Sequence, residues 1–489
     1  MKHRTAKVAL TVGLYATSAV GQGAACADVL VPAYSAPVVA SGWQAQLVAG
    51  GLTRPRSILF DSTGALLILE AGKGVSRHRF TDNGGTCLAA NHSHMLVELS
   101  TLNHGLTLSN DGTTLYASSA EAVFAWPYDA RAGALTDLQR PRTVVANMSN
   151  SDLVTRTLVM SRREPGVLIV SRGSAEDDAA ATEEVGSGLS QVRAFNLTNL
   201  TAAAAEGGEG AAYDFRTDGL VLGWGLRNSV GVAEHPVTGA VYAVENSVDG
   251  VTRNGVDVHE NNPGEELNFL GYVNGTEAGN NFGYPHCFAV WAVDEIPDND
   301  GLAVGAQFAV DEGGTHRDET CAERYVPPRL TFPAHYAPMD IEFAEDGSEA
   351  FVSFRGSFDR SSPVGYRVSS IAFNPSTGEP VARADSTSAI AADIITNPDH
   401  GACPDNCFRP VGLAFDAQGR LWMASDSTGE IYVLQRTGEG GEGRFVGAGG
   451  DGGDGQGADE ENAAVTVRNG AFAMGWLVAA GVGVWLAMG

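Results

Sequence analysis

The chain is short of basic charge. Its 489 residues include 31 Lys and Arg against 58 Asp and Glu, a formal charge of −27, which argues against nucleic acid or an anionic membrane surface as partner, since both attract Lys and Arg. Charged residues of either sign are scarce, at 18%, while apolar residues reach 44% and glycines number 61. That balance suits a turn-rich all-β protein better than a helical or disordered one. No glycine-rich fingerprint opens a helix behind a strand, so nucleotide-dependent oxidoreduction is disfavoured.

Cysteines are also few, six in all. The first residues, "MKHRTAKVALTVGLYATSAVGQGAACA", combine a basic start, an apolar middle and small residues, the pattern of a secretory signal over residues 1–21 with an end as late as 27. A buried N-terminal helix is the alternative. In a secreted chain six cysteines predict three disulfides. Cys403 and Cys407 enclose a tight turn, Cys287 and Cys321 close one insertion, and Cys26 is left with Cys87. A metal site at Cys403 and Cys407 lacks the second ligand pair that zinc requires. Five glycosylation acceptors, Asn91, Asn147, Asn196, Asn199 and Asn274, agree with a eukaryotic secretory route.

The other end is more specific. An acidic glycine-rich linker is expected over 437–462, followed by the apolar tail "GAFAMGWLVAAGVGVWLAMG" within 463–489. Small residues at Asn462, Ala463 and Ala464 before a polar spacer fit a glycosylphosphatidylinositol attachment signal and a place on the cell surface. A retained membrane helix is the competing reading, although no Lys/Arg flank follows it.

Between the ends one phrase recurs six times: turn residues, a glycine, then an alternating strand that ends in a small or polar residue. The copies are "FDSTGALLILEAG" from Phe60, "LSNDGTTLYASSA" from Leu108, "RREPGVLIVSRG" from Arg162, "HPVTGAVYAVEN" from His235, "AEDGSEAFVSFRG" from Ala344 and "FDAQGRLWMASDS" from Phe415. Alternation behind a glycine turn is a hairpin signature. Repeated sheets that cannot bury their faces alone stack about an axis, and about 40 to 50 residues per blade fits residues 26–436. A six-bladed β-propeller is therefore expected, with a β-sandwich pair or β-helix as alternatives and with the stretches 173–215 and 250–335 as loops over one face.

In such a fold the residues just before each inner strand gather at one end of the channel. Here they are Arg56, His104, Arg227 with Asn228, His335 and Arg409, joined by Arg355 at a strand end. Four arginines directed at one pocket repel unless an anion stands between them. A planar polycarboxylate or a phosphorylated ligand meets that need. Pairing of each arginine with an acid of a neighbouring blade is the reading that leaves no site, and a lone histidine is ordinarily structural.

The "PR" of 55–56, "NHG" of 103–105, "GLRN" of 225–228 with "ENS" downstream, "FRG" of 354–356 and "FRPVGLAFD" of 408–416 together resemble secreted pyrroloquinoline-quinone-dependent sugar dehydrogenases. The fungal pyranose dehydrogenases are nearest in pattern, with the sorbosone and soluble glucose dehydrogenases beyond them. The resemblance spans roughly residues 26–436 and rests on the order of the motifs rather than on any one of them. It implies non-covalent pyrroloquinoline quinone (PQQ), a tricarboxylate ortho-quinone, bound with Ca²⁺ at the top of the propeller. Arg227, Asn228, Arg355 and Arg409 would hold its carboxylates and quinone oxygens, with Arg56 and His335 nearby. Ser247 and Val248 would offer backbone oxygens to the metal, as calcium prefers, although "ENSVDG" departs from the Gly-Pro pair of bacterial members. His104 would be the general base for the anomeric hydroxyl, oriented by Asn103, a role that contributes about 10² to 10⁴ in rate. Calcium would polarise the accepting carbonyl, and Arg227 would stabilise the charge developing at a quinone oxygen. An external acceptor, a cytochrome, a quinone or a redox enzyme, would take the electrons, because neither a haem domain nor a cellulose-binding module is apparent. Two rival readings stand beside this one: a non-catalytic extracellular binding propeller, and a Ca²⁺-dependent lactonase-type hydrolase.

Overall fold

Each of the six glycine phrases folds as the first hairpin of one blade. In a computed structural model, residue 26 and residues 29–137, 141–200, 212–310, 316–388, 392–438 and 441–447 are described. The inner strands are Pro55–Phe60, Leu102–Leu108, Leu158–Met160, Ser229–Glu234, Pro338–Phe343 and Pro410–Phe415. Each pairs with the strand beyond its turn, the first member of a sheet of four or more strands. The turn glycines Gly64, Gly112, Gly166, Gly239, Gly347 and Gly419 share φ between 71° and 85°, a left-handed conformation that a Cβ penalises. In the first hairpin Asp61 reinforces the turn, its Oδ1 accepting from the Thr63 and Ala65 N–H groups at 2.8 and 3.0 Å.

The inner strands neighbour one another in order, and the sixth returns to the first. The expected six-bladed propeller is thus closed. Its last blade takes Trp43–Ala49 from the beginning of the chain, antiparallel to Glu430–Arg436. Packing seals the junction with the first blade, where Trp422 is 1% exposed and receives Phe60 and Phe80 edge-on at 5.2 and 4.9 Å. Such a buried aromatic cluster contributes several kcal/mol, roughly 3–5 for removal of the indole.

Two expectations need correction. Arg444–Val446 pairs in parallel with Trp43–Ala49, so the last blade extends past residue 436 into the segment expected as linker; three residues are too few to show a period. The stretches 173–215 and 250–335 are not only loops. Gln191–Asn196 belongs to the third blade, and Glu265–Tyr272 and Leu330–Phe332 complete the fourth. The middle one of these, "EELNFLGY", places two acids where an apolar alternation would have announced a strand. The signal segment 1–21, residues 439–440 and 448–462 of the expected linker and the tail 463–489 lie outside the described residues.

The three disulfides are Cys26–Cys87, Cys287–Cys321 and Cys403–Cys407, as the spacing predicted. All five acceptor asparagines are exposed.

Candidate functional site

Hairpin register builds the site. In an antiparallel pair the start of one strand lies beside the end of the other, here Pro55 beside Glu70, Ser229 beside Glu245, Pro338 beside Phe354 and Pro410 beside Ser425. The residues leading into the inner strands therefore share a face with the small or polar residues that end the second strands. Those end residues hold the backbone in place: Glu70 accepts from Thr53 N at 2.8 Å, Glu245 from Arg227 N at 2.7 Å, and Ser425 Oγ from Arg409 N at 3.0 Å.

On this face lies a pocket of about 260 Å³ whose wall includes Arg56, Arg227, Asn228, His335, Arg355 and Arg409, with Ser247 and Val248 at one side. A larger hollow of about 390 Å³ lies at the opposite ends of the inner strands, with Asp340 and Glu342 in its wall. None of the predicted site residues lines it.

The arginines are more nearly neutralised than the sequence suggested. Asp426 binds two of them, Arg56 Nη1 at 2.5 Å and Arg355 Nε at 3.0 Å. Asp249 binds Arg227 Nη2 at 3.2 Å, and Arg227 Nη1 also donates to the Ser247 carbonyl. Arg409 differs: it donates to the Arg355 and Gly356 carbonyls at 3.1 and 3.0 Å and lies over the Tyr366 ring at 5.6 Å. Pairing with neighbouring acids is thus real for three arginines. Among the described residues, however, Arg56 and Arg355 share one aspartate and Arg409 has no carboxylate partner, so these three guanidinium groups are not fully neutralised.

Asp249 also faces His335, Oδ1 to Nδ1 at 3.6 Å, while His335 Nε2 meets the His259 carbonyl at 2.6 Å. Burial opposes charge on the His335 ring, but the contacts with Asp249 and the His259 carbonyl outweigh it and hold its pKa above the ordinary imidazole value. Behind this wall three glutamates lie buried. Glu265 receives Ser247 N and Ala337 N at 2.7 and 3.0 Å, Glu245 receives Arg227 N, and Glu266 receives Asn268 Nδ2 at 2.8 Å. Burial pushes the Glu265 and Glu266 carboxyls up to about 7 and that of Glu245 well above the carboxylate range. At neutral pH Glu265 and Glu266 are thus each roughly half protonated, and only below it do these acids add little negative charge to the pocket.

His104 stands apart from the wall. It is 3% exposed, and its Nδ1 accepts from Arg56 Nε at 3.2 Å. Burial, then the Arg56 charge, holds its pKa well below the imidazole value, against a hydrogen bond to the Val230 backbone. The ring is therefore neutral, with its proton on Nε2. Asn103 does not orient it: the Asn103 amide donates to the Val154 carbonyl at 2.9 Å. Two adjacent residues of a strand point to opposite sides, so "NH" cannot act as a unit there.

Sequence reasoning missed Asp426, Asp249, Glu265 and Phe358, all of which contact or line the pocket. Asp426 had a signal, since it directly follows the strand of the sixth glycine phrase, at the level where the register brings strand ends to the arginines. Asp249 and Phe358 sit in connections whose path no repeat reveals, and Glu265 opens the strand Glu265–Tyr272 that the glycine phrase did not announce.

The fold is one that known proteins share. A family described as TrAA12-like matches residues 37–437. A pyrroloquinoline quinone-dependent sugar dehydrogenase of Hypocrea jecorina is 48% identical over 412 residues, 84% of this chain and 92% of that protein. The calcium structure of Trichoderma reesei Carbohydrate-Active Enzymes Family AA12 is 49% identical, with a TM-score of 0.80 over 84% of this chain and 99% of that one. The holo form of the pyranose dehydrogenase PQQ domain from Coprinopsis cinerea is 33% identical, with a TM-score of 0.77 over 84% of this chain and all of that one. With a match that runs through all six blades, the chain belongs to the TrAA12-like family.

Proposed function

We propose that this chain is a sugar oxidoreductase that binds PQQ without a covalent bond in the arginine-lined pocket and oxidises the anomeric hydroxyl of a pyranose or 2-keto sugar. The observation that carries this reading is the charge of the wall: Arg56, Arg227, Arg355 and Arg409 converge there, and among the described residues Arg56 and Arg355 share the single carboxylate of Asp426 while Arg409 has no carboxylate partner. A planar tricarboxylate supplies the missing negative charge, and arginine forks match carboxylates in geometry. The names of the relatives support the same cofactor and substrate class.

When bound, the quinone supplies the two-electron acceptor for hydride from the anomeric carbon. The chain's own residues do the rest. Arg409, which has no carboxylate partner among the described residues, is the guanidinium most available to a cofactor carboxylate. Arg227 and Asn228 hold the quinone edge from the fourth blade. His104 is the proton acceptor: neutral, with a lone pair on Nδ1 directed at Arg56. Its use as a base requires Arg56 to release that lone pair, which a cofactor carboxylate that draws the guanidinium away would favour.

Calcium fits the site through backbone oxygens. Ser247 and Val248 are in the wall, and Asp249 adds a carboxylate beside them. Because the Ser247 carbonyl accepts from Arg227, the ion and this guanidinium compete for one oxygen. Electrons leave to an external acceptor. Secretion, glycosylation and a lipid anchor remain part of the proposal. A leader cleaved beyond residue 25 would remove Cys26 and leave Cys87 unpaired, so cleavage belongs before it.

The test is a cofactor titration. Chelator-stripped protein, given PQQ with and without Ca²⁺, is followed by cofactor absorbance and by dye reduction with a panel of pyranoses. Saturable binding with sugar-dependent dye reduction is expected. Absence of binding under every metal condition would overturn the reading.

A further inference from the structure

Phe358 is the most exposed large apolar residue among those described, at 90%, and it lies at the pocket. The segment that carries it is tied down. Ser357 N donates to the Val364 carbonyl at 3.0 Å, the Tyr366 hydroxyl to the Ser357 carbonyl at 3.1 Å, Gly250 N to Asp359 at 2.8 Å and Ser361 Oγ to Glu260 at 2.6 Å. Gly356 begins it at φ 96°, where a Cβ would stand 2.3 Å from the Tyr366 ring. A single exposed phenylalanine needs no explanation on an open surface. This one is presented by an anchored segment to a pocket whose wall is otherwise chiefly charged and polar.

A pyranose has hydroxyls on its edges and a patch of C–H bonds on a face. The polar wall meets the first; only an apolar plate meets the second. Resting on the sugar reading above, we propose that Phe358 is a positioning residue that stacks on the apolar face of the pyranose and helps select sugars by the size of that face. Large, rigid and carrying few torsions, a phenyl ring gives contact area at low entropic cost.

Phe358→Ala, Phe358→Tyr and the wild type, all loaded with PQQ and Ca²⁺, are compared by cofactor absorbance titration and by steady-state kinetics over a panel of epimeric pyranoses. The expected result is unchanged cofactor affinity in all three, a sugar KM raised about tenfold in Phe358→Ala with kcat within twofold, and recovery in Phe358→Tyr. Tenfold corresponds to about 1.4 kcal/mol. Unchanged KM for every sugar in Phe358→Ala overturns the inference and leaves the cofactor reading intact. A change confined to the electron acceptor's KM also overturns it, assigning the ring to acceptor docking. If PQQ fails to bind the wild type, the cofactor reading fails and this inference with it.

Discussion

Arg56 Nε donates to His104 Nδ1 at 3.2 Å, joining the first blade to the second just behind the pocket. The contact adds to burial, the larger cause, in keeping the histidine neutral, and it occupies the lone pair that a base requires. His104→Ala is therefore expected to bind PQQ as the wild type does while losing about 10² to 10⁴ in kcat. Arg56→Ala should free Nδ1 and raise the His104 pKa toward its ordinary value. The measurement is cofactor titration beside a pH–rate profile: an acid limb moved to higher pH in Arg56→Ala supports the coupling, and an unmoved limb removes His104 from the mechanism.

The same burial has a consequence for stability. The folded pKa of His104 lies below its unfolded value near 6.5, so the unfolded chain takes the proton first as pH falls. Its contribution is complete above the unfolded value and is lost below it. His78, lowered to about 4 by burial, acts in the same direction. Thermal unfolding between pH 6.5 and 4 should show a Tm slope that weakens in His78→Phe, provided the phenyl ring fits the space of the imidazole.

Glu265 and Glu266 act in the opposite sense. Their folded pKa values near 7 exceed the unfolded value of 4.5, so the folded chain holds protons that the unfolded chain has released. Stability from this source is full below about 4.5 and falls as pH rises through 7, by roughly 1.4 kcal/mol per pH unit for each independent group. Glu266→Gln keeps an oxygen for Asn268 and removes the titration. The denaturant midpoint at pH 7 minus that at pH 5 should be more positive in this variant than in the wild type; an equal difference would show that Glu266 ionises normally.

The propeller was legible in the sequence because a hairpin turn that demands positive φ leaves glycine at a fixed place in every repeat. Gly64 to Gly419 recur for that reason, and the strands behind them alternate because one blade packs on the next. The arginines were legible for a related reason, since Arg56, Arg227 and Arg409 each occupy the step into an inner strand. Their partners were not. Asp249 and Phe358 reach the pocket from connections, where position follows from tertiary contacts such as Gly250 to Asp359 rather than from a period. His104 shows the converse: its repeat position was correct, but one step along a strand decides between wall and interior, and depth along the axis has no signature in a single sequence.

Asp426 joins Arg56 and Arg355 across the meeting of the sixth, first and fifth blades. Asp426→Asn leaves two guanidinium groups without their shared counterion, and breaking such a buried pair costs roughly 3–5 kcal/mol. The apo protein should unfold at lower temperature, while added PQQ, bringing carboxylates to the same arginines, should raise Tm by more than it does in the wild type. Equal increments would mean that the cofactor does not reach Arg56 or Arg355.

Arg227 separates the two ligands of the proposed site. Its guanidinium holds the Ser247 carbonyl and Asp249, the oxygens nearest the proposed calcium position, and it is also a proposed partner of the quinone. Removing it acts oppositely on the two. In Arg227→Ala the Ser247 carbonyl loses its guanidinium and Asp249 keeps only His335 among the cations described at it, so Ca²⁺ alone should stabilise the apo protein at lower concentration than in the wild type. PQQ binding should weaken about 10- to 100-fold, the scale of one or two charge-assisted hydrogen bonds at 1.5–3 kcal/mol. Calcium-dependent Tm and cofactor absorbance read the two effects separately. A parallel loss of both affinities would show that Arg227 supports the pocket as a whole rather than standing between the ion and its oxygens.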